Sequence, residues 1–206
     1  MPENTLQSPR QRRAQRNRNL ILQAAMELLV QDGPQNLSLR AVARRSDYSP
    51  AALYEYFDSR EALLAALWTE VDGRLREFLR SVPENLSPSD RLVALGMNYI
   101  RFARQNPQLY RLYFIDPAGS LPYDKLVRSS AAFHLLVDVL STGIEQDDFK
   151  AHNGFELGEM AYACWALLHG ITSLQLNLPE GHTTDFDLLN LKAIETLVIG
   201  IQALRM

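Results

Sequence analysis

Leu37-Ser38-Leu39-Arg40-Ala41-Val42-Ala43-Arg44-Arg45-Ser46-Asp47-Tyr48-Ser49-Pro50-Ala51-Ala52-Leu53-Tyr54-Glu55-Tyr56-Phe57 reads as two short helices joined by a tight turn. The Ser38 hydroxyl can cap the first helix, and Leu39, Val42 and Ala43 then face inward. Ser46-Asp47-Tyr48 supplies the turn, because aspartate tolerates left-handed backbone better than most residues do. Ser49-Pro50 opens the next helix with a capping hydroxyl and a proline whose missing N–H has no partner to lose there. That helix runs to about Tyr56.

Working outward, a longer helix precedes this pair, with Leu20, Ile21, Ala24, Ala25, Leu28 and Leu29 on one side and Gly33-Pro34 at its end. Another follows, opened by Asp58 and Glu61 at capping-box spacing and closed by Pro83. Its stripe is Leu63, Leu64, Leu67, Trp68, Val71, Leu75, Phe78, Leu79 and Val82. Three short helices with a three-to-four-residue turn between the second and third describe a helix-turn-helix unit. Its small apolar core fixes the angle of the third helix, which can then lie in a DNA major groove about 12 Å wide.

The rest of the chain continues in helical periods with no strand alternation. Ser87-Pro88 starts a helix running to about Gln105, and Asn106-Pro107 starts a short one. Others span about 122–146, then from an Asn153/Glu156 cap to about Leu178, and from a Thr184/Asp187 cap to near Leu204. The expectation is an all-α protein of about nine helices. A basic tail over 1–13 is expected to be disordered, a DNA-binding domain to span 14–65, and a helical body 66–206.

Charge supports a chain with one polyanion-facing end. The net charge of −3 hides nine Arg against six acidic residues in 1–60, and 12 basic against 18 acidic residues afterwards. Five arginines (Arg10, Arg12, Arg13, Arg16, Arg18) fall within nine positions. This either meets nucleic acid or is a solvated tail. No apolar run reaches the roughly 18–20 residues that span a bilayer, and no apolar core follows the basic start as in a secretory signal. The single cysteine, Cys164, rules out an internal disulfide and fits a reducing compartment, so a cytoplasmic protein is expected. One Cys and four scattered His offer no metal-ligand spacing. With no nucleophile elbow or phosphate-cradling glycine loop, no enzyme, catalytic residue or cofactor is expected.

The residue string itself carries more than its spacing. Ser38 opening the second helix, Leu53-Tyr54-Glu55-Tyr56-Phe57 closing the third and Arg60-Glu61-Ala62-Leu63 starting the fourth closely resemble the DNA-binding signature of tetracycline-repressor-like (TetR) regulators. The resemblance covers about 18–65. Departures are Ser46-Asp47-Tyr48, where the family has Ala-Gly-Val, and Ala51 in place of a common glycine, so operator sequence does not carry over. Asn106-Pro107-Gln108-Leu109-Tyr110-Arg111-Leu112 and Trp165-Ala166-Leu167-Leu168-His169-Gly170 resemble a C-terminal subfamily with a Trp-x-x-x-His-Gly motif.

The resemblance implies a dimeric repressor that binds a pseudo-palindromic operator and is released by a small hydrophobic or aromatic effector. DNA-facing candidates are Ser38, Arg40, Arg44, Arg45, Tyr48, Ser49, Pro50, Ala51, Ala52, Tyr54, Tyr56 and Arg60. Tyr54 and Tyr56 either donate hydroxyls to phosphates or pack under the helix. Ser38 and Arg60 sit at helix N-termini that favour phosphate, or serve as cap and solvated charge. Effector-pocket candidates are Trp68, Tyr99, Phe102, Tyr110, Phe133, His134, Tyr162, Trp165 and His169; each is otherwise a core residue. The apolar faces carrying Leu167, Ile171 and Leu174, and Leu197, Ile201 and Leu204, imply a four-helix dimer seam, or else internal packing. Gly73 either permits a bend in the fourth helix or marks a close approach. Competing readings are an activator, a regulator controlled by a protein partner, and a helical binding protein that no longer binds DNA.

Overall fold

The computed structural model describes residues 8–114, 129–152, 154–178 and 184–203. Among them lie nine α-helices and one short 3-10 turn, with no strand beyond an isolated bridge between His152 and Phe155. The helices are α1 (Pro9–Asp32), α2 (Leu39–Arg45), α3 (Pro50–Tyr54), α4 (Arg60–Arg80) and α5 (Pro88–Gln105), then α6 (Pro107–Phe114), α7 (Ala131–Glu145), α8 (Leu157–Leu176) and α9 (Phe186–Ala203). Contacts group the described residues into two units, 8–71 with 108–114 and 72–107 with 129–203.

The first unit is built as its sequence pattern requires. Ile21, Ala25 and Leu29 of α1 are buried, as are Leu39, Val42 and Ala43 of α2, Leu53 of α3, Phe57, and Leu63, Leu64 and Leu67 of α4. Burying each large side chain contributes about 1.5–3 kcal/mol, enough together to fix α2 and α3, which are too short to persist alone. Gly33 ends α1 at φ 77°, its N–H donating to Leu29 O, and Asp47 adopts φ 57° in the turn.

Several boundaries differ from the sequence expectation. Residues 9–13 are helical: Ser8 caps α1 by accepting from Gln11 N, and the Gln11 side chain accepts from Ser8 N. This capping box, with Pro9 at the first helical position, outweighs the arginine density that suggested a disordered tail. Along α1 Ile21, Ala24, Ala25 and Leu29 are buried as expected, while Leu20 is exposed and Met26, outside the expected stripe, is buried. The α4 cap falls on Ser59, whose Oγ accepts from Ala62 N at 3.1 Å, and the α9 cap on Asp185, which accepts from Leu188 N at 3.2 Å. Glu156 and Glu159 form the box that starts α8; Asn153, residues 122–128 and Leu204 lie outside the described residues. A Cβ at Gly73 would meet no atom within 4 Å, so Gly73 is not a close-packing point.

In the second unit α5 packs against α7, α8 and α9. At Gly96 a Cβ would come within 3.0 Å of Ile194 Cδ1 and 3.1 Å of Leu168 Cδ2, so glycine lets α8 and α9 approach α5 closely. A polar knot ties the chain beyond α7 to both ends of the unit. Asp148 accepts from the backbone N–H of Ser89 and from its hydroxyl, and from Gln202 Nε2 at 2.7 Å, while Lys150 N donates to Ile201 O. Asp72, only 5% exposed, accepts from Ser130 Oγ at 2.7 Å and from Ala131 N at 2.8 Å, joining α4 to the first turn of α7.

Candidate nucleic-acid interface

Within the first unit, α3 divides cleanly between core and surface. Leu53 is fully buried, whereas Ser49, Pro50, Ala51 and Tyr54 are exposed and Ala52 is half-buried. The Ser49 hydroxyl accepts from Ala52 N at 3.2 Å and Ser38 Oγ accepts from Ala41 N at the same distance, so both act as caps. The small side chains at 49–52 let a nucleic-acid backbone or base edge approach the helix, and their methyl and methylene groups suit thymine methyls. Tyr54, 53% exposed, projects a phenol from the end of this edge.

Around α3 the aromatic and basic residues take distinct positions. Tyr56 is half-buried, and its hydroxyl oxygen accepts from Asn17 Nδ2 at 3.0 Å, linking α1 to the segment after α3. Tyr48 meets Tyr56 edge-on, with ring centroids 6.1 Å apart. Arg18 lies over the Phe57 ring at 4.8 Å, a cation–π contact. Arg40 and Arg44 are exposed on α2, while Arg45 is paired with Glu27 at 2.9 Å and donates to Gln31.

Arg60, expected at the DNA surface or as a solvated charge, is half-buried and bonded to backbone carbonyls. Its Nε donates to Leu37 O at 2.9 Å and its Nη2 to Pro34 O at 3.0 Å. Those carbonyls belong to the link between α1 and α2, and Pro34 O also accepts from Leu37 N at 3.3 Å, so the guanidinium holds that link to the start of α4. Nothing in the local sequence signals this, because the partners lie 23 and 26 residues away.

The edge of Ser49, Pro50, Ala51 and Tyr54, flanked by Arg40 and Arg44, rests on the string that two family models recognise. Residues 21–67 match the bacterial regulatory proteins of the tetR family, and residues 92–197 match the tetracyclin repressor-like C-terminal domain. The chain belongs to the TetR family of transcriptional regulators. A helix-turn-helix-type transcriptional regulator of Mycobacterium tuberculosis is 35% identical over 99 residues, 48% of this chain and 49% of the relative. The class D tetracycline repressor protein of Escherichia coli is 28% identical over 163 residues, 76% of this chain and 63% of the repressor. The chain thus spans about half to two-thirds of the length of these TetR-family relatives. RolR, solved with resorcinol as its ligand, shares the fold with a TM-score of 0.71 at 15% identity, over 95% of this chain and 97% of RolR.

The remaining expected residues fall in both units. In the first, Trp68 and Tyr110 are buried, and Trp68 stacks on Tyr113 with centroids 4.6 Å apart and planes 8° from parallel. In the second, Tyr99, Phe102 and Phe133 are buried, and Phe102 meets Phe78 edge-on. His134 and Tyr162 are exposed. Trp165 and His169, one turn apart on α8, are half-buried with rings 5.5 Å apart, and burial holds the His169 imidazolium below the usual histidine range. None of these nine lines the three clefts described among the second unit's residues.

One residue of the expected dimer seam needs correcting. Ile201 is 1% exposed within the single chain and so belongs to the core, whereas Leu167, Ile171 and Leu197 are half-buried, Leu174 is 73% exposed, and Leu204 lies outside the described residues. The exposed ridge of α8 is Gly158, Tyr162, Ala166, Gly170 and Leu174 at four-residue steps, and α9 exposes Ile199 at 61%. Ile201 turns inward because α9 carries apolar residues on more than one side, so periodicity alone does not choose the side that meets the core. No helix among the described residues is long and apolar enough to cross a membrane.

Proposed function

We propose that the chain is a ligand-responsive repressor that binds a pseudo-palindromic operator as a dimer and is released by a small hydrophobic or aromatic effector. The exposed edge of α3 carries this reading: a helix whose Leu53 is buried under it and whose outer side offers only Ser49, Pro50, Ala51 and Tyr54. Such an edge suits groove contact through methyl groups and DNA shape, with Tyr54 positioning on phosphate. The ridge from Tyr162 to Leu174 and the exposed Ile199 support pairing of α8 and α9 with a second copy, since flat ridges of small residues let helices approach closely. Resorcinol in RolR supports an aromatic effector class.

Selection from fragmented genomic DNA followed by footprinting tests the reading. One or more protected two-fold sites are expected, with half-sites about 34–36 Å apart. Affinity falls steeply with salt as phosphates are neutralised. Tyr54→Phe weakens binding to all variants of the site equally. Absence of any protected site, or salt-insensitive binding, refutes it.

A further inference from the structure

At the C-terminal end of α5, Met97, Ile100, Arg101 and Arg104 follow one another at helical spacing along a single face. With Gln105 and Asp187 of α9 they line a cleft of about 330 Å³. A second hollow of about 190 Å³ shares Arg104 and Asp187 and adds Gln175, Thr184, Asp185 and Phe186, so its second carboxylate leaves the first cleft as the better place for an anion. Met97 and Ile100 give the cleft its apolar lining, and Arg101 and Arg104, three residues apart along α5, give it two cations. Arg101 Nη1 donates to Asn98 Oδ1 at 2.8 Å, which steadies that guanidinium from behind. Arg104 Nη1 donates to the Asp187 carboxylate.

The Asp187 carboxylate shows what the cleft accepts. It is an exposed carboxylate at the start of α9, held on Arg104 in solvent, where such a pair is weak and readily exchanged. An external carboxylate that engages both arginines, with its body against Met97 and Ile100, gains a second charge-assisted bond and apolar burial that Asp187 lacks. We propose that this cleft is a binding site for a compact organic carboxylate, with the anionic head on Arg101 and Arg104 and the apolar body on Met97 and Ile100. The site is separate from the aromatic side chains expected to receive the effector, none of which lines it. The volume falls at the small end of the range of about 300–1,000 Å³ typical of ligand pockets, which fits a single ring or short branched chain.

Benzoate is the probe, with benzamide as a neutral body of the same shape. Calorimetric titration of the full chain should show saturable binding of benzoate and at least tenfold weaker binding of benzamide. Arg104→Gln and Arg101→Gln should each weaken benzoate about tenfold or more, as expected for loss of one charge-assisted bond. Asp187→Asn removes the internal competitor and should tighten benzoate by up to about fivefold, a change that damage to the fold would not produce. Circular dichroism of the variants, and operator binding measured without benzoate, separate failure of this site from failure of the regulatory reading. Equal binding of benzoate and benzamide, or benzoate binding unchanged in both arginine variants, or no benzoate binding at all, overturns the proposal.

Discussion

Replacing Asp72 by alanine should destabilise the second unit more than any other single polar change in the described chain. The carboxylate is buried and accepts from Ser130 Oγ at 2.7 Å and Ala131 N at 2.8 Å, with a longer bond of 3.4 Å from Ala132 N. Hydrogen bonds to charged groups contribute about 1.5–3 kcal/mol each, so two good ones give about 3–6 kcal/mol gross. Removal also relieves the desolvation of the carboxylate, and Ser130 still caps α7 by accepting from Phe133 N at 2.9 Å. The net loss is about 3 kcal/mol for Asp72→Ala and about 1–2 kcal/mol for Asp72→Asn, which keeps an acceptor but not the charge. For a chain of this size that corresponds to a fall in Tm of about 6–12 °C for the alanine variant. Urea denaturation followed by circular dichroism, at fixed protein concentration, measures it. Hydrogen exchange should speed up first at the amides of Ala131 and Ala132. A loss below about 0.5 kcal/mol, or unchanged protection at those two amides, refutes the assignment of Asp72 as the buried cap of α7.

Arg60→Ala removes the guanidinium donor from Leu37 O and leaves Pro34 O with the Leu37 N–H alone, which should lower the stability of the first unit by about 1–3 kcal/mol, read as a fall in the urea midpoint; an unchanged midpoint with reduced DNA affinity would favour the phosphate contact instead. Burial would raise the Asp148 pKa, but hydrogen bonds from the Ser89 hydroxyl, Gln202 and the Ser89 N–H hold it below the ordinary value of 3.8. Its contribution is therefore present above that value and lost as pH falls through the lower, folded one, so Asp148→Asn should destabilise at about pH 7 and the gap from wild type should narrow as pH falls below 3.8. A gap that stays constant over that range would remove Asp148 from the knot. Ile201→Glu should unfold the chain, whereas Leu174→Glu should leave it folded and shift sedimentation toward monomer; the opposite pattern would restore the seam to Ile201.

The parts of the fold that were legible in sequence are those specified by local chemistry. Ser38, Ser49 and Ser87 cap the helices they were expected to cap, and Gly33 ends α1, because each acts on backbone within four residues. The start of α1 was equally local. Ser8-Pro9 with Gln11 is a helix-start signal that charge density obscured. Arg60 and Ile201 were not legible, since their surroundings come from distant segments and from which side of an all-round apolar helix meets α5. Asp72 did leave a trace, as an acid beside Val71 in the midst of an apolar stripe. The exposed edge of α3 was readable because Leu53 and Phe57 fix its inner side and leave its outer side by default.

Cys164 gives the protein a built-in clock. It is the single sulfhydryl in the chain, packed inside α8, and burial pushes its pKa up to about 12. Thiolate is the reactive form, so a maleimide or aromatic disulfide added in mildly alkaline buffer meets essentially no nucleophile while α8 is seated. Each labelling event then records one opening of that helix, and the rate of colour or mass gain measures how often the helix lifts from its neighbours. A bound molecule that steadies α8 slows the clock, and one that loosens it makes the clock run fast, with no dye, tag or engineered residue required.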